Sequence, residues 1–141
     1  MVVWPSDLML VSFALRDLAQ VVAGVGSSLT GFSVLLVERD EVSLTIDQSA
    51  WTASRLGAMA RAVAGPYRAI TLDLTIDLSV CGYLLPAAER LAEAGISIVP
   101  QCGYQKDHLL VRSADAPEAA ALITSLIEEA KARPETGWRS P

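Results

Sequence analysis

The pattern of apolar and polar positions is clearest in the second half of the chain. Residues 72–77 alternate with a period of two, which predicts a strand with one buried face. Residues 84–92 place their apolar side chains at helical spacing, and Gly95 stands where such a helix ends. Two short apolar runs, 96–99 and 108–111, then predict a hairpin.

The first thirty residues carry a weaker pattern. Residues 1–6 are expected to form a loose arm, and the apolar run 8–14 has the length of a strand. Residues 17–23 predict a short helix that ends at Gly24. The glycine-rich stretch 24–31 lacks the lysine and the spacing of a phosphate-binding loop, so it indicates a plain connector.

A second hairpin and two longer helices complete the pattern. Residues 32–47 predict a hairpin around the charged turn 38–41: Phe32, Val34 and Leu36 form one face of its first strand, and 42–47 alternate apolar and polar positions. The stretch 47–64 predicts a helix that the dipeptide Gly65-Pro66 ends, and residues 119–130 predict the buried face of a final helix.

The order strand, strand, helix at 32–64 recurs at 96–130. Each block follows a strand and a candidate helix, so the chain predicts two βαββ(α) repeats. Because each helix and each hairpin has one apolar face, helices should cover one face of an antiparallel sheet. The predicted class is α+β with ferredoxin-like architecture, and it divides into repeats at 1–66 and 67–133 and a tail at 134–141.

Three segments of the second repeat resemble a known family. They are Asp77–Gly82 (DLSVCG), 91–98 (LAEAGISI) and 107–111 (DHLLV). Together they resemble the ACT domain, in the variety found in small ACT-repeat proteins related to the arginine-sensing CASTOR proteins and in the regulatory ends of aspartate kinases. The resemblance covers about 67–130, and parts of 32–44 are similar to the first repeat of that family.

The resemblance implies a non-catalytic, allosteric regulatory protein that binds an amino acid or a related carboxylate at an interface between ACT domains. The implied ligand-binding residues lie in the loop before a helix and at the start of the next strand. They are Asp77, Leu78, Ser79, Val80, Cys81, Gly82, Ser97 and Ile98, with Gln101 as a further candidate where the strand meets its turn.

The residues themselves give that loop a physical reason to bind an anion. Pro86 is tolerated only near the start of a helix, which predicts a helix that begins near Gly82. Residues 79–83 would then present free backbone amides at the positive end of a helix dipole, which suits a carboxylate. The alternative is a capped helix start whose amides meet water or a neighbouring subunit.

Catalysis and metal binding have little support in the sequence. His108 is the single histidine, and no residue near it in sequence completes a set of nucleophile, base and orienting group. Asp73, Asp77 and Asp107 lack the spacing of metal ligands. We therefore expect no enzyme, no metal and no cofactor.

Composition narrows the choice of partners. The 141 residues are 52% hydrophobic and 19% charged, which predicts a folded protein. A net charge of −5 argues against nucleic acid, and no apolar run is long enough to span a bilayer. Cys81 and Cys102 have neither zinc nor redox spacing, which favours buried thiols in the cytoplasm over a disulfide.

Two hypotheses for function follow. The first is a regulatory protein that binds a small molecule, in a homodimer formed because open strand edges tend to be paired. The alternative is a ligand-free oligomerisation or protein-interaction module that uses the same loops and edges.

Overall fold

The structure, a computed structural model, describes residues 1–26, 29, 31–73 and 82–132. Within these residues the strands are β1 (Val2–Val3), β2 (Leu8–Ala14), β3 (Val34–Val37), β4 (Glu41–Asp47), β5 (Ala62–Leu72), β6 (Val99–Cys102) and β7 (Asp107–Arg112). The helices are α1 (Leu18–Val25), α2 (Gln48–Ala53), α3 (Leu85–Glu93) and α4 (Ala116–Ala132). The predicted mixture of antiparallel strands and helices is confirmed. The predicted tail at 134–141 and all of residues 74–81, which include most of the strand predicted at 72–77, lie outside the described residues.

The chain divides into two compact units. The first unit is Trp4–Ala69, and the second unit joins Met1–Val3 to Ile70–Pro141. The long strand β5 contributes its first eight residues to the first unit and its last three to the second. The second unit is therefore discontinuous in sequence.

The first unit orders its strands β3-β4-β2-β5, and every pair is antiparallel. Alternate residues of β2 and β4 pack with α1 around one apolar core, which fits the two-residue period of strands. The fully or nearly fully buried residues of that core are Val11, Phe13, Val21, Val25, Val42, Leu44, Ile46 and Leu56. The hairpin predicted at 32–47 is present as β3 and β4, with Val37 opposite Val42.

The helix predicted over 47–64 is much shorter in the structure. Asp47 caps α2, since its carboxylate accepts hydrogen bonds from the backbone N–H groups of Ser49 and Ala50. The helix ends at Ala53, and 62–64 belong to β5 instead, where they pair with β2. The prediction was wrong at this end because residues 62–64 find their hydrogen-bond partners in a distant strand rather than in the preceding helical turn.

Gly65 and Pro66 do not end a helix but lie inside β5. The pairing of β2 with β5 shifts register between Leu8 and Leu10, beside these two residues. Proline has no N–H to give to a ladder, so a register shift is a place where a strand tolerates it. Gly65 has φ 144°, and a Cβ there would lie 2.9 Å from the carbonyl oxygen of Leu8. The close approach of two backbones therefore requires glycine.

Gly24 was expected to end a helix, but it lies within α1. A Cβ at this position would overlap the side chain of Leu56. The glycine is thus explained by the contact between α1 and Leu56, and the helix continues to Val25.

The second unit orders its strands β1-β5-β7-β6. The segment expected to be a loose arm contains β1, in which Val2 pairs with Thr71 and Val3 with Ile70. The predicted second hairpin is present as β6 and β7, although β6 begins at Val99 rather than at residue 96.

Helices α3 and α4 cover one face of the second unit's sheet. Ile70 and Leu72 of β5, and Leu109 and Val111 of β7, belong to the same apolar cluster as residues of both helices. The helical members of that cluster are Ala87, Leu91, Ala116, Ala119 and Ile123. Alternate residues of a strand lie on the same face of a sheet. Since these strand residues share one cluster with both helices, α3 and α4 lie on the same face.

Candidate functional site

The loop predicted to bind a carboxylate lies largely outside the described residues. Asp77, Leu78, Ser79, Val80 and Cys81 are in this group, so their geometry remains a prediction. The structure describes the other candidates, namely Gly82, Ser97, Ile98 and Gln101.

Gly82 stands immediately before the start of α3. Its carbonyl oxygen accepts a hydrogen bond of 3.0 Å from the backbone N–H of Leu85, the first residue of the helix. Pro86 is in the first turn, as predicted, where its missing N–H costs no intrahelical bond. Gly82 has φ +74°, so a side chain at this position would strain the backbone, although no atom of the described residues beyond its chain neighbours lies within 4 Å of the added Cβ.

Ser97 and Ile98 lie beyond the other end of α3. The nine residues of the helix rise by about 14 Å at 1.5 Å per residue, and Gly95 follows them. Ser97 is exposed, whereas Ile98 packs against the apolar cluster of the second unit. Within this unit, therefore, the structure does not bring Gly82 together with Ser97 and Ile98.

Gln101 lies at the end of the sheet where β5 leads into the predicted loop. It pairs with His108 across the β6–β7 hairpin. The Nδ1 atom of His108 is in turn 2.8 Å from the Oγ1 atom of Thr71, in β5. Gln101, His108 and Thr71 therefore form a polar row across three neighbouring strands.

An ion pair closes the same end of the sheet. Lys106, in the turn between β6 and β7, donates a hydrogen bond to the carboxylate of Asp73. Asp73 directly follows β5 and is the last described residue before the loop. The hydrogen bond and the charge of Lys106 lower the pKa of Asp73, which favours the ionised carboxylate. The pair joins the end of β5 to the β6–β7 turn.

The imidazole of His108 is held in its neutral form. Partial burial is the largest cause and lowers its pKa, the charge of Asp107 acts in the opposite direction, and the charge of Lys106 lowers the pKa further. Its neighbour Thr71 is buried, with only 4% of its surface exposed, so a substrate has little access to that hydroxyl. The pair resembles a structural hydrogen bond more closely than a nucleophile and its base.

Sequence reasoning did not find the Thr71–His108 and Asp73–Lys106 pairs. Each joins residues more than thirty positions apart, 37 in the first pair and 33 in the second. The sequence indicates only that Thr71 and Asp73 occupy alternate positions near the end of a strand. Their partners, His108 and Lys106, are determined by the pairing of β5 with β7.

An open groove of ≈ 610 Å³ lies on the first unit, beside the N-terminus of α2. Its polar groups include the carboxylates of Asp7 and Asp47. Asp47 is the cap of α2, and Asp7 forms an ion pair of 2.7 Å with Arg68. These charged groups therefore have structural roles, and the groove does not add a second candidate site.

The remaining classes of site were searched in the described part of the chain. Those residues contain no group of three or more His, Cys, Asp or Glu side chains arranged to hold a metal ion. None of their helices is long and apolar enough to cross a membrane. Cys102 is a free thiol and is exposed on the edge strand β6, so the expectation of a buried thiol was wrong for this residue.

Comparison with known proteins adds information about the fold. No protein-family model matches the chain, and no curated protein matches it by sequence. Among solved structures, the regulatory subunit of aspartate kinase from Thermus thermophilus superposes with a TM-score of 0.62 at 11% identity, over 88% of this chain and 94% of that one. The chain has the fold of an aspartate kinase regulatory subunit.

Two further structures share this fold. A protein of unknown function from Vibrio cholerae, described as a possible transport protein, has a TM-score of 0.64 and 22% identity, over 88% of this chain and 86% of that one. Aspartokinase III from E. coli, solved in complex with aspartate and ADP, has a TM-score of 0.59 and 20% identity, over 83% of this chain but 30% of the enzyme. The regulatory subunits are ACT-domain proteins, so the resemblance seen in the sequence is confirmed for the fold alone.

Proposed function

We propose that the chain consists of two ACT-type repeats, approximately 1–66 and 67–133, except that Val2–Val3 pairs within the second repeat. In chain order the first unit runs β2, α1, β3, β4, α2 and β5, and its spatial order β3-β4-β2-β5 places the first strand between the third and the fourth. The second unit repeats this order as β6-β7-β5-β1. Its fourth strand is supplied by Val2–Val3, which accounts for the weak N-terminal pattern.

The proposed function is non-catalytic regulation through the binding of an amino acid or a related carboxylate. The observation that carries it is the likeness to the aspartate kinase regulatory subunit, which extends over 88% of this chain and 94% of that subunit. Because the match covers nearly the whole of both chains, the similarity is to a regulatory subunit and not to a catalytic domain.

The geometry of α3 supports a site shared between two ACT domains. Gly82 precedes the helix and Ser97 follows it, so one unit cannot bring both residues to the same ligand. Two domains placed side by side could do so, with the amides near Gly82 from one and the segment Ser97–Ile98 from the other. The amides that precede α3 near Gly82 would bind the carboxylate, since they lie at the positive end of the helix dipole. Asp77 would bind the ammonium group.

A ligand-free assembly module is the second candidate. The observation in its favour is the exposed apolar surface of β3, where Leu36 is 53% exposed. An edge strand of this kind can pair with another chain without any small molecule.

A thermal-shift screen against the common amino acids separates the two candidates. A ligand that binds only the folded state stabilises it by about 2.7 kcal/mol at one hundred times its dissociation constant. The regulatory proposal expects at least one amino acid to raise the melting temperature in a concentration-dependent way. If none does so at millimolar concentration, the assembly module is the better interpretation.

A further inference from the structure

The second unit takes its fourth strand from a segment that precedes the first unit in sequence. In the first unit this place is filled by the first eight residues of β5, whereas in the second unit it is filled by β1, which has two residues. Val2 pairs with Thr71, and Val3 pairs with Ile70. The sheet of the second unit is therefore completed by a much shorter strand than the sheet of the first unit.

The backbone hydrogen bonds of β1 to β5 come from one of its two residues. Next to β1, the N–H of Trp4 donates to the carbonyl oxygen of Ala69 at 2.9 Å. In an antiparallel pair every second residue faces the neighbouring strand. Val2 therefore exchanges N–H···O=C bonds with Thr71, whereas the N–H and C=O of Val3 point away from β5.

The side chains of β1 contribute little to the core. Met1, Val2 and Val3 are 39%, 45% and 38% exposed, and none of them belongs to the apolar cluster of the second unit. In that cluster β5 is represented by Ile70 and Leu72, which pack with residues of α3 and α4. Removal of β1 would leave these contacts in place, so β1 can open with a smaller free energy than that of global unfolding.

The strand β1 borders the end of β5 that leads to the predicted ligand loop. On the edge that faces β7, Thr71 contacts His108 at 2.8 Å, and Asp73 forms its ion pair with Lys106 beyond the end of the strand. On the opposite edge, Val2 holds Thr71 through the backbone. The position of this end of β5 therefore depends on both of its neighbours, β7 and β1.

We propose that β1 is a strap that opens and closes on β5 while the rest of the second unit stays folded. In the closed state the strap fixes the end of β5 from which the predicted ligand loop starts. In the open state the backbone N–H and C=O of Thr71 meet water, and β7 alone holds this end. Trp4 keeps the open strap near its place, since its ring contacts Phe32 edge-on with 5.4 Å between the centroids.

The strap regulates the site of the proposed function, and this link, unlike the opening itself, rests on that function. An open strap leaves the end of β5 less well fixed, so opening should lower the affinity for an amino acid. A ligand that binds better to the closed state should in turn favour closure, because the coupling between two equilibria is reciprocal.

Amide hydrogen exchange followed by NMR tests whether the strap opens on its own. Thr71 directs its N–H towards β1, whereas its neighbour Ile70 directs its N–H towards β7. Relative to the rates of an unfolded chain, the amide of Thr71 should therefore exchange at least tenfold faster than that of Ile70. Equal protection would show that one unfolding event releases both amides, and it would overturn the proposal.

Two proline substitutions form a matched pair for the same measurement. Val2→Pro removes the N–H that donates to Thr71, whereas Val3→Pro removes an N–H that points away from β5. Val2→Pro should accelerate exchange at Thr71 at least tenfold further and leave Ile70 unchanged. Val3→Pro should leave both amides as in the wild type. If Val2→Pro accelerates both amides equally, or if the two variants behave alike, β1 is not an independent strap.

The two variants also test the link with the ligand site. In a thermal-shift screen against the common amino acids at millimolar concentration, the amino acid that stabilises the wild type most should stabilise Val2→Pro less than Val3→Pro. Equal shifts in the two variants would refute the regulatory link. If no amino acid stabilises the wild type, the proposed function fails, whereas exchange at Thr71 still decides whether the strap exists.

Discussion

The Oγ1 atom of Thr71 and the Nδ1 atom of His108 lie 2.8 Å apart and connect β5 to β7 in the second unit. Burial lowers the pKa of His108, and the nearby charge of Asp107 opposes this effect without reversing it. The fold thus favours the neutral imidazole over the charged one. Protonation of His108 should therefore disfavour the fold.

We expect stability to fall when the pH is lowered below the ordinary histidine pKa of 6.5. The unfolded chain takes up the proton first, because the pKa of His108 is lower in the folded state. The stabilisation is fully present above pH 6.5 and is lost as the pH falls towards the folded pKa. Urea denaturation at pH 7.5 and pH 5.5 measures this loss. Carboxylates also titrate at lower pH, so His108→Asn is the reference. Parallel pH profiles of the two proteins would show that His108 is not responsible.

The core of the second unit should depend on Leu91. This residue is fully buried in α3, between strands β5 and β7 and helix α4. Leu91→Ala should lower the free energy of unfolding by about 2–5 kcal/mol, since it removes buried apolar surface and leaves a cavity. Leu85→Ala, on the exposed side of the same helix, should change it by about 0.5 kcal/mol or less. Chemical denaturation compares the two variants, and similar losses in both would contradict the assignment of the core.

A side chain at Gly24 should cost stability, because it displaces the side chain of Leu56. An added methyl group overlaps Leu56, so Gly24→Ala should destabilise the first unit by about 1–3 kcal/mol. Alanine usually stabilises a helix by about 0.5–1 kcal/mol relative to glycine, so the variant is destabilised only if the overlap with Leu56 costs more than this. Gly57→Ala is the control, because no atom lies within 4 Å of a Cβ at Gly57. A melting temperature of Gly24→Ala at or above that of the wild type would show that the contact is not tight.

Asp77 is the sharpest probe of the proposed ligand loop. Asp77→Ala should remove a charge-assisted hydrogen bond to the ammonium group of an amino acid, which is worth about 1.5–3 kcal/mol, and so weaken binding at least tenfold. Calorimetric titration with the best amino acid from the screen measures the change. Asp40→Ala, in the exposed turn between β3 and β4, should bind like the wild type. Equal affinities for all three proteins would exclude the loop as the site.

A substitution of Gly82 is a weaker probe of the loop than one of Asp77. From the sequence alone, valine at position 82 is expected to block a ligand while the helix still forms. The positive φ of Gly82 changes that expectation, because valine would strain the backbone before α3 as well as obstruct the loop. Loss of binding in Gly82→Val would then have two explanations.

The elements that sequence predicted well are those determined by nearby residues. Both hairpins have charged or glycine-containing turns between apolar strands, and Pro86 correctly indicated a helix that begins near Gly82, since α3 begins at Leu85. The elements it missed depend on partners far away in the chain. Residues 62–64 join β5 because β2 lies beside them, and β1 exists only through its pairing with Thr71 and Ile70.

The candidate site shows the same division. The position of Gly82 at the helix start followed from local rules, whereas the separation of Gly82 from Ser97 required the course of α3. The row formed by Thr71, His108 and Gln101 depends on the register of three strands. A single sequence carries no direct record of register between strands that are distant along the chain.

The pairing of β1 with β5 has a consequence for synthesis on the ribosome. Val2 and Val3 are made long before their partners Thr71 and Ile70. At translation rates of about 5–20 residues per second, this short strand waits roughly 3–14 seconds for its neighbour. Most of the first unit, up to β5, is made during that interval, while the N-terminal segment remains unpaired. The second unit can complete its fold only after α4 has left the ribosome. Strand β1, which is made first, and helix α4, which is made much later, therefore join the folded unit together.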